Sequence, residues 1–215
     1  MCFLRYAFLE FVLIVVSCPL QTVHPEWAEK RYVAMLSYRS AAKIMSNMDV
    51  VELIEYYTSQ HGDGPDVVAL LSPHRLSLRQ QALRTHGILF VEIWHEVLRR
   101  LGFDDHTVRA SDSLSAFFCN YWLARPKLMS DYIAFLEHAI MLLEHDPALS
   151  YLVRADARYA EGRQEVARAV FDTPFYQLHP FICERLPIVF FWDRHACVLH
   201  VHSEFRRLQN FTTVG

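Results

Sequence analysis

The stretch from Pro126 to Pro147 constrains this chain more than any other. Pro126 suits the first position of a helix, where its missing N–H is not needed. Leu128, Tyr132, Phe135, Leu136, Ala139, Ile140 and Leu143 then recur at helical spacing until Asp146 and Pro147 end the run. A helix of about five turns with one apolar stripe must lie against a second apolar surface. The rest of the chain has to supply it, and 53% hydrophobic residues among 215 suffice for a sizeable core.

Upstream, Arg31 to Leu36 reads as a short strand. A helix follows, with Asn47 or Asp49 as its cap and Val50, Leu53, Ile54 and Tyr57 on one face. His61 to Pro65 is a turn and Asp66 to Leu71 a second strand, an order that builds parallel sheets. Leu78 to Leu101 keeps helical spacing, interrupted at Gly87 and stopped by Gly102, as one bent helix or two. Asp104 to Ser115 is polar and loop-like, and Ala116 to Trp122 favours strand. Shorter helices fit Pro147 to Tyr159 and Gln164 to Phe171, and Cys197 to His202 closes the chain as a strand. No period of about 20–50 residues recurs, which excludes solenoids and propellers. The expected class is α/β with helix in excess: a partial Rossmann-like sheet with flanking helices.

The N-terminus is read in three ways. Arg5 followed by the apolar Tyr6 to Val16, then Ser17, Cys18 and Pro19, resembles a signal peptide or short anchor, and Val15 to Cys18 fits a lipoprotein cleavage pattern. Glu10 inside that run, and its shortness, oppose a membrane span. Phe11 to Val16 also reads as a buried β-branched strand, and a mis-predicted start is the third alternative. Residues 1–26 therefore stand apart from a single domain over 27–215. Membrane association is expected only through residues 1–18, and a cytoplasmic location otherwise.

With 21 Lys and Arg against 24 Asp and Glu, the net charge is −3. The pI is about 6.4, and affinity resting on many neutralised phosphates is excluded, so nucleic acid is not an expected partner. Cys2, Cys18, Cys119, Cys183 and Cys197 form no Cys-x-x-Cys pair and read as free thiols; a Cys183–Cys197 disulfide across a hairpin is the alternative.

The standard signatures of nucleotide hydrolases, dinucleotide enzymes, α/β-hydrolases and zinc proteases are missing. What stands out are polar residues where the pattern wants apolar ones. Asn120 lies in an apolar run and must be either a hydrogen-bonding hub or a site residue. His179, Glu184 and Arg185 precede the run Leu186 to Trp192. Glu184 and Arg185 either form a structural ion pair or present a guanidinium to a diphosphate. Gln81, Arg84, Thr85 and His86 either wall a pocket or are simply solvated. His200 and His202 share a strand face and either chelate a divalent metal or sit in core or solvent. Asp104, Asp105 and His106 either meet a metal or make a polar turn.

Three segments carry a resemblance. Trp27 to Arg39, containing Tyr32, Val33, Ala34, Met35, Leu36, Ser37, Tyr38 and Arg39, resembles the Trp, Tyr-Ile-Gly-Leu-x-His-Tyr-Arg-Arg stretch of capsular-polysaccharide-type glycosyltransferase domains. Phe118 to Trp122, with the helix carrying Tyr132, is similar to that family's Asn-Met-Phe segment and following helix. Phe181 to Leu186 is similar to its C-terminal Phe-x-x-Glu-Arg-Leu. The order agrees over residues 27–192. Ser37 replaces the family's His, Ala34 its Gly and Ser40 its second Arg, and fewer residues precede the first motif, as in an N-terminally truncated or degenerate member. The resemblance implies a GT-A-like fold and transfer of a sugar from a nucleotide-sugar to a glycan or related acceptor. It places Tyr38, Arg39, Asn120 and Arg185 at the substrate and Glu184 at the chemistry, where His179, from its place just ahead of the apolar run, is expected to join it. The alternative is a noncatalytic glycan-binding or interaction domain on the same fold. Without Asp-x-Asp no metal ligands are assigned; if a divalent cation (Mn or Mg) takes part, Asp104, Asp105, His179 and His202 are its candidates.

Overall fold

The structure, a computed structural model, describes residues 32–35, 59, 64–70, 75–115, 122–158, 165, 168–169 and 172–200. Along these residues the elements are β1 (Val33–Met35), β2 (Val67–Ala69), α1 (Leu78–His86), α2 (Ile88–Arg100), α3 (Asp105–Ser111) and β3 (Trp122–Ala124). After them come α4 (Pro126–His145), α5 (Pro147–Leu152), α6 (His179–Cys183), α7 (Leu186–Asp193) and β4 (Val198–His200). The chain is mixed α/β and rich in helix, as its periodicities require. Its described residues divide into two compact units. One draws on 74–116 and 133–190, the other on 10–73, 117–132 and 191–215.

The second unit holds the sheet, in the order β1-β3-β2-β4. β3 runs antiparallel to both β1 and β2, placing Leu123 opposite Ala34 and Val68. β2 and β4 are parallel, with Val68 opposite Leu199. The expected Rossmann-like pairing of the first two strands is therefore corrected: β3 lies between them. Val67, Val68 and Ala69 are fully buried, so β2 needs a covered neighbour on each side, and Trp122 and Ala124 of β3, fully buried themselves, supply one. Trp122 meets Tyr132 and Phe191 edge-on, at centroid distances of 5.2 and 5.0 Å. Such T-shaped contacts suit the ring quadrupoles, and the Trp122 Nε1–H is buried without a hydrogen-bond partner among the described residues. At the start of β2, Asp66 accepts the Cys197 N–H at 2.9 Å, the strand-start role its position suggests.

The first unit is helical. α1 starts with a capping box: Ser77 Oγ accepts the Gln80 N–H while Gln80 Oε1 accepts the Ser77 N–H. α1 and α2 are two helices rather than one, because Gly87 takes φ 84°, a left-handed value that favours glycine. Gly102, at φ 88°, follows α2 in the same way. The polar segment after it is a helix and not the expected loop. Asp104 Oδ1 caps α3 through the Thr107 N–H at 2.7 Å, and Thr107, Val108 and Ser111 turn inward. α5 stops at Leu152, short of the expected Tyr159, and Asp156 then bridges to Gln177. α4 matches its expected bounds, and Phe135 packs against Phe103 and Phe190. Cys183 and Cys197 are free thiols, so the disulfide alternative is corrected. The apolar run between them is α7, and the two cysteines flank a helix instead of a hairpin. The segments expected around residues 47–57, 116–121 and 164–171 lie wholly or mostly outside the described residues.

Candidate functional site

The capping box fixes the phase of α1, and that phase turns Leu78, Ala82 and His86 inward at successive i, i+4 positions. His86 is only 2% exposed. Its Nδ1–H donates to the Ala157 carbonyl at 2.7 Å, which leaves Nε2 as an acceptor facing Nη2 of Arg185 at 3.4 Å. The imidazole stacks on Phe90 and tilts against Phe181, with centroids 4.9 and 4.6 Å away. Burial pushes the His86 pKa down to about 4. The Ala157 hydrogen bond works against that shift, and the positive charge of Arg185 reinforces it. His86 is thus a neutral acceptor at pH 7.

Arg185 is 1% exposed. Its Nη1 donates to the Phe181 carbonyl at 2.6 Å, and its Nη2 to Gln81 Oε1 at 2.5 Å, across 104 residues of chain. The guanidinium also lies 4.8 Å from the Phe90 ring centroid. Glu184 Oε2 is 3.9 Å from Nη1, with the Glu184 side chain 12% exposed. The ion pair between neighbours is therefore longer than the hydrogen bonds, and among the described residues the close hydrogen-bonding partners of the cation are neutral groups on α1 and α6. The arrangement ties the turn between α6 and α7 to α1 and holds a carboxylate beside a fixed positive charge.

Among the four residues suggested as a pocket wall, Gln81 and His86 join this cluster. Thr85 Oγ1 accepts from Gln81 Nε2 at 3.1 Å and holds the amide in place, while Arg84 is exposed. Arg185, expected at a diphosphate, instead gives both terminal nitrogens to internal acceptors, and a contact with phosphate requires those bonds to be exchanged. His179 opens α6, and its backbone N–H donates to the Val153 carbonyl at 2.9 Å. Its Nε2 is buried with no hydrogen-bond partner among the described residues, and burial, then the charge of Arg154, pushes its pKa down to about 4. Tyr38, Arg39, Asn120 and His202 lie outside the described residues.

Phe90, Phe181 and the Ala157 carbonyl were not anticipated as parts of the cluster. A signal existed for its centre: His86 occupies the same helical phase as Leu78 and Ala82, a polar group at an apolar position, like Asn120.

Among the described residues the metal candidates Asp104, Asp105 and His179 form no common group. Asp104 is committed to capping α3, and that hydrogen bonding holds its carboxyl below the usual range. Asp105 Oδ1 lies 3.4 Å from Arg99 Nε. Among the described residues no group of three or more His, Cys, Asp and Glu side chains could hold a metal ion. His200 ends β4 opposite Ala69, and burial lowers its pKa. Comparison with protein-family profiles, with curated proteins and with solved structures finds no match for this chain.

Proposed function

We propose that this chain is a glycosyltransferase-like domain that transfers a sugar from a nucleotide-sugar donor to a glycan or related acceptor, with Glu184 as the acting carboxylate. The observation that supports the reading is the placement of Glu184 on a turn anchored by a buried guanidinium. The guanidinium fixes that turn through its bonds to the Phe181 carbonyl and Gln81 Oε1, which suits holding the neighbouring carboxylate in place. In this reading Arg185 orients the turn, and Glu184 accepts the proton of an acceptor hydroxyl as that oxygen bonds the anomeric carbon. The nucleoside diphosphate leaves with the electron pair of the broken bond. His179, neutral at pH 7, stands four residues before Cys183 on the helix that leads into this turn. No step is routed through a metal.

The second reading, a glycan-binding domain without donor chemistry, draws on one observation: the internal commitment of the Arg185 donors. The test is thermal melting of the full chain with nucleoside diphosphates and nucleotide-sugars, with and without Mn²⁺ or Mg²⁺, joined to a transfer assay. A ligand that binds only the native state raises Tm. The transferase reading expects a shift with at least one donor. It also expects Glu184→Gln to keep that shift while losing transfer by about 100-fold or more. Cooperative melting with no shift for any donor overturns it, and stabilisation by a glycan alone establishes the second reading.

A further inference from the structure

The ring of His86 sits where the helical unit accommodates one proton arrangement. Nδ1–H donates to the Ala157 carbonyl at 2.7 Å, and Nε2, 3.4 Å from Arg185 Nη2, is left as an acceptor. A proton added at Nε2 turns that facing pair into donor against donor and cation against cation. The side-chain acceptor at this point, Gln81 Oε1, is already taken by the same Nη2. Imidazolium and guanidinium therefore cannot both keep their places, because His86 and Arg185 are buried and a charged donor without an acceptor is costly there.

The surroundings decide which of the two yields. His86 is part of α1, and its ring is stacked on Phe90; protonation strengthens the bond to the Ala157 carbonyl by making it charge-assisted. Arg185 follows α6, a helix of five residues, too short to hold its shape unaided. The backbone bonds that tie this stretch to its neighbour, from Leu178 and His179 to the Ala155 and Val153 carbonyls, all lie ahead of Phe181. The charges on the elements packed against the ring do not relieve the conflict. Arg158, whose Nη1 would stand 3.3 Å from a Cβ added to Gly87, is a further cation, and α1 adds the exposed Arg84. Of the acids, Asp156 Oδ1 accepts the Arg158 N–H, and Glu184 Oε2 lies 3.9 Å from Arg185 Nη1. α2 meets the ring through Phe90, and its Glu92 is exposed.

We propose that the turn carrying Arg185 is a latch released by acid: when His86 takes up a second ring proton, its Nε2–H displaces the Arg185 guanidinium, and residues 181–185 let go of α1. In the closed latch, burial pushes the His86 pKa down to about 4 from the ordinary 6.5, opposed by the Ala157 bond and reinforced by the Arg185 charge. The released ring binds its proton more readily than the closed one. Opening is therefore favoured progressively as pH falls below 6.5, and the gain levels off below about 4. The inference does not rest on the sugar-transfer reading, since it concerns the hold on the turn and not the chemistry of Glu184.

The test is amide hydrogen exchange of the full chain at about pH 7.5 and about pH 4.5, each rate divided by the intrinsic rate at that pH. The Ile182, Glu184 and Arg185 N–H groups, bonded to the carbonyls of Leu178, Pro180 and Ile182, report the latch. Amides in the middle of α2 report the rest of the helical unit. Two variants remove the titrating group: His86→Gln keeps a donor and an acceptor, and His86→Phe keeps a ring. The rise in latch opening between the two pH values in the native chain, divided by the rise in either variant, is expected to be about 70-fold. His179, at the start of α6, is common to all three chains and cancels in that ratio. The α2 amides should rise far less than those of the latch. A ratio near one in both variants overturns the inference, because the proton then acts elsewhere. So does an α2 that opens in step with the latch, which is acid unfolding of the whole unit.

Discussion

The two units of this chain treat charge in opposite ways. In the sheet unit the ionic contacts among the described residues are peripheral, as where Arg125 Nε lies 3.3 Å from Asp66 Oδ1 with both side chains 41% exposed, while the interior is Val67, Val68, Ala69 and an aromatic trio. In the helical unit a whole guanidinium is buried, and its closest acceptors are an amide, a backbone carbonyl and an imidazole. Shape alone holds the first core, whereas the second adds a polar network to buried apolar residues such as Phe90, Trp94, Val97, Leu98 and Phe190. An apolar core loses stability in proportion to volume removed, whereas a network fails when one member leaves the others unsatisfied.

The largest effects should break each core by its own rule. Trp122→Ala should cost about 3–5 kcal/mol in urea unfolding, and Trp122→Phe should recover a substantial part, because an aromatic ring still meets Tyr132 and Phe191. Arg185→Ala should cost about 3 kcal/mol or more, by stranding Gln81 Oε1 and opening a cavity. Arg185→Met restores volume without donors and should recover only about half. If Met recovers everything, the helical core is held by packing alone as well, and the contrast between the units is gone.

A pH series sharpens the comparison. The His86 pKa is about 4 in the folded protein and about 6.5 when unfolded, so below pH 6.5 the unfolded chain binds a proton that the folded one refuses. Stability should therefore fall as pH drops from about 6.5 to 4, by up to about 3 kcal/mol from this residue, and the His86 share should level off below that. His179 acts in the same direction. Measured as the difference between the native chain and His86→Phe, the slope over this window should shrink; an unchanged slope would show that His86 titrates normally. The smallest effect is expected in the sheet unit. Asp66→Asn should cost less than about 1 kcal/mol, because the pair with Arg125 is solvent-screened and an amide oxygen still accepts the Cys197 N–H.

The sequence shows α4 plainly because Pro126 marks its start and seven apolar residues keep its phase. It also shows the break at Gly87, since only a glycine interrupts that helical run. It does not show which strands pair, because a strand, helix, strand order is compatible with any later strand entering between the first two, as β3 does. α3 was hidden by composition: seven residues with Asp, His, Arg and Ser look like a loop, and the inward-facing Thr107, Val108 and Ser111 are too few to set a period. Glu184 and Arg185 drew notice as neighbours. Arg185 finds its nearest side-chain partners 99 and 104 residues away, a distance over which no local pattern carries information.

That long reach also sets an order of events during synthesis. α1 and α2 close on each other across a single glycine, a short-range step that needs no other part of the chain. Gln81 and His86 cannot be satisfied by Arg185 until about 100 further residues have been made and the loop between them closed, with the entropy that closure costs. On the ribosome the early helices therefore wait, one polar face unfinished, for a residue about 100 positions further on. Completion of the helical unit is a late and cooperative event, and truncation before residue 185 should leave that face exposed to chaperones and proteases.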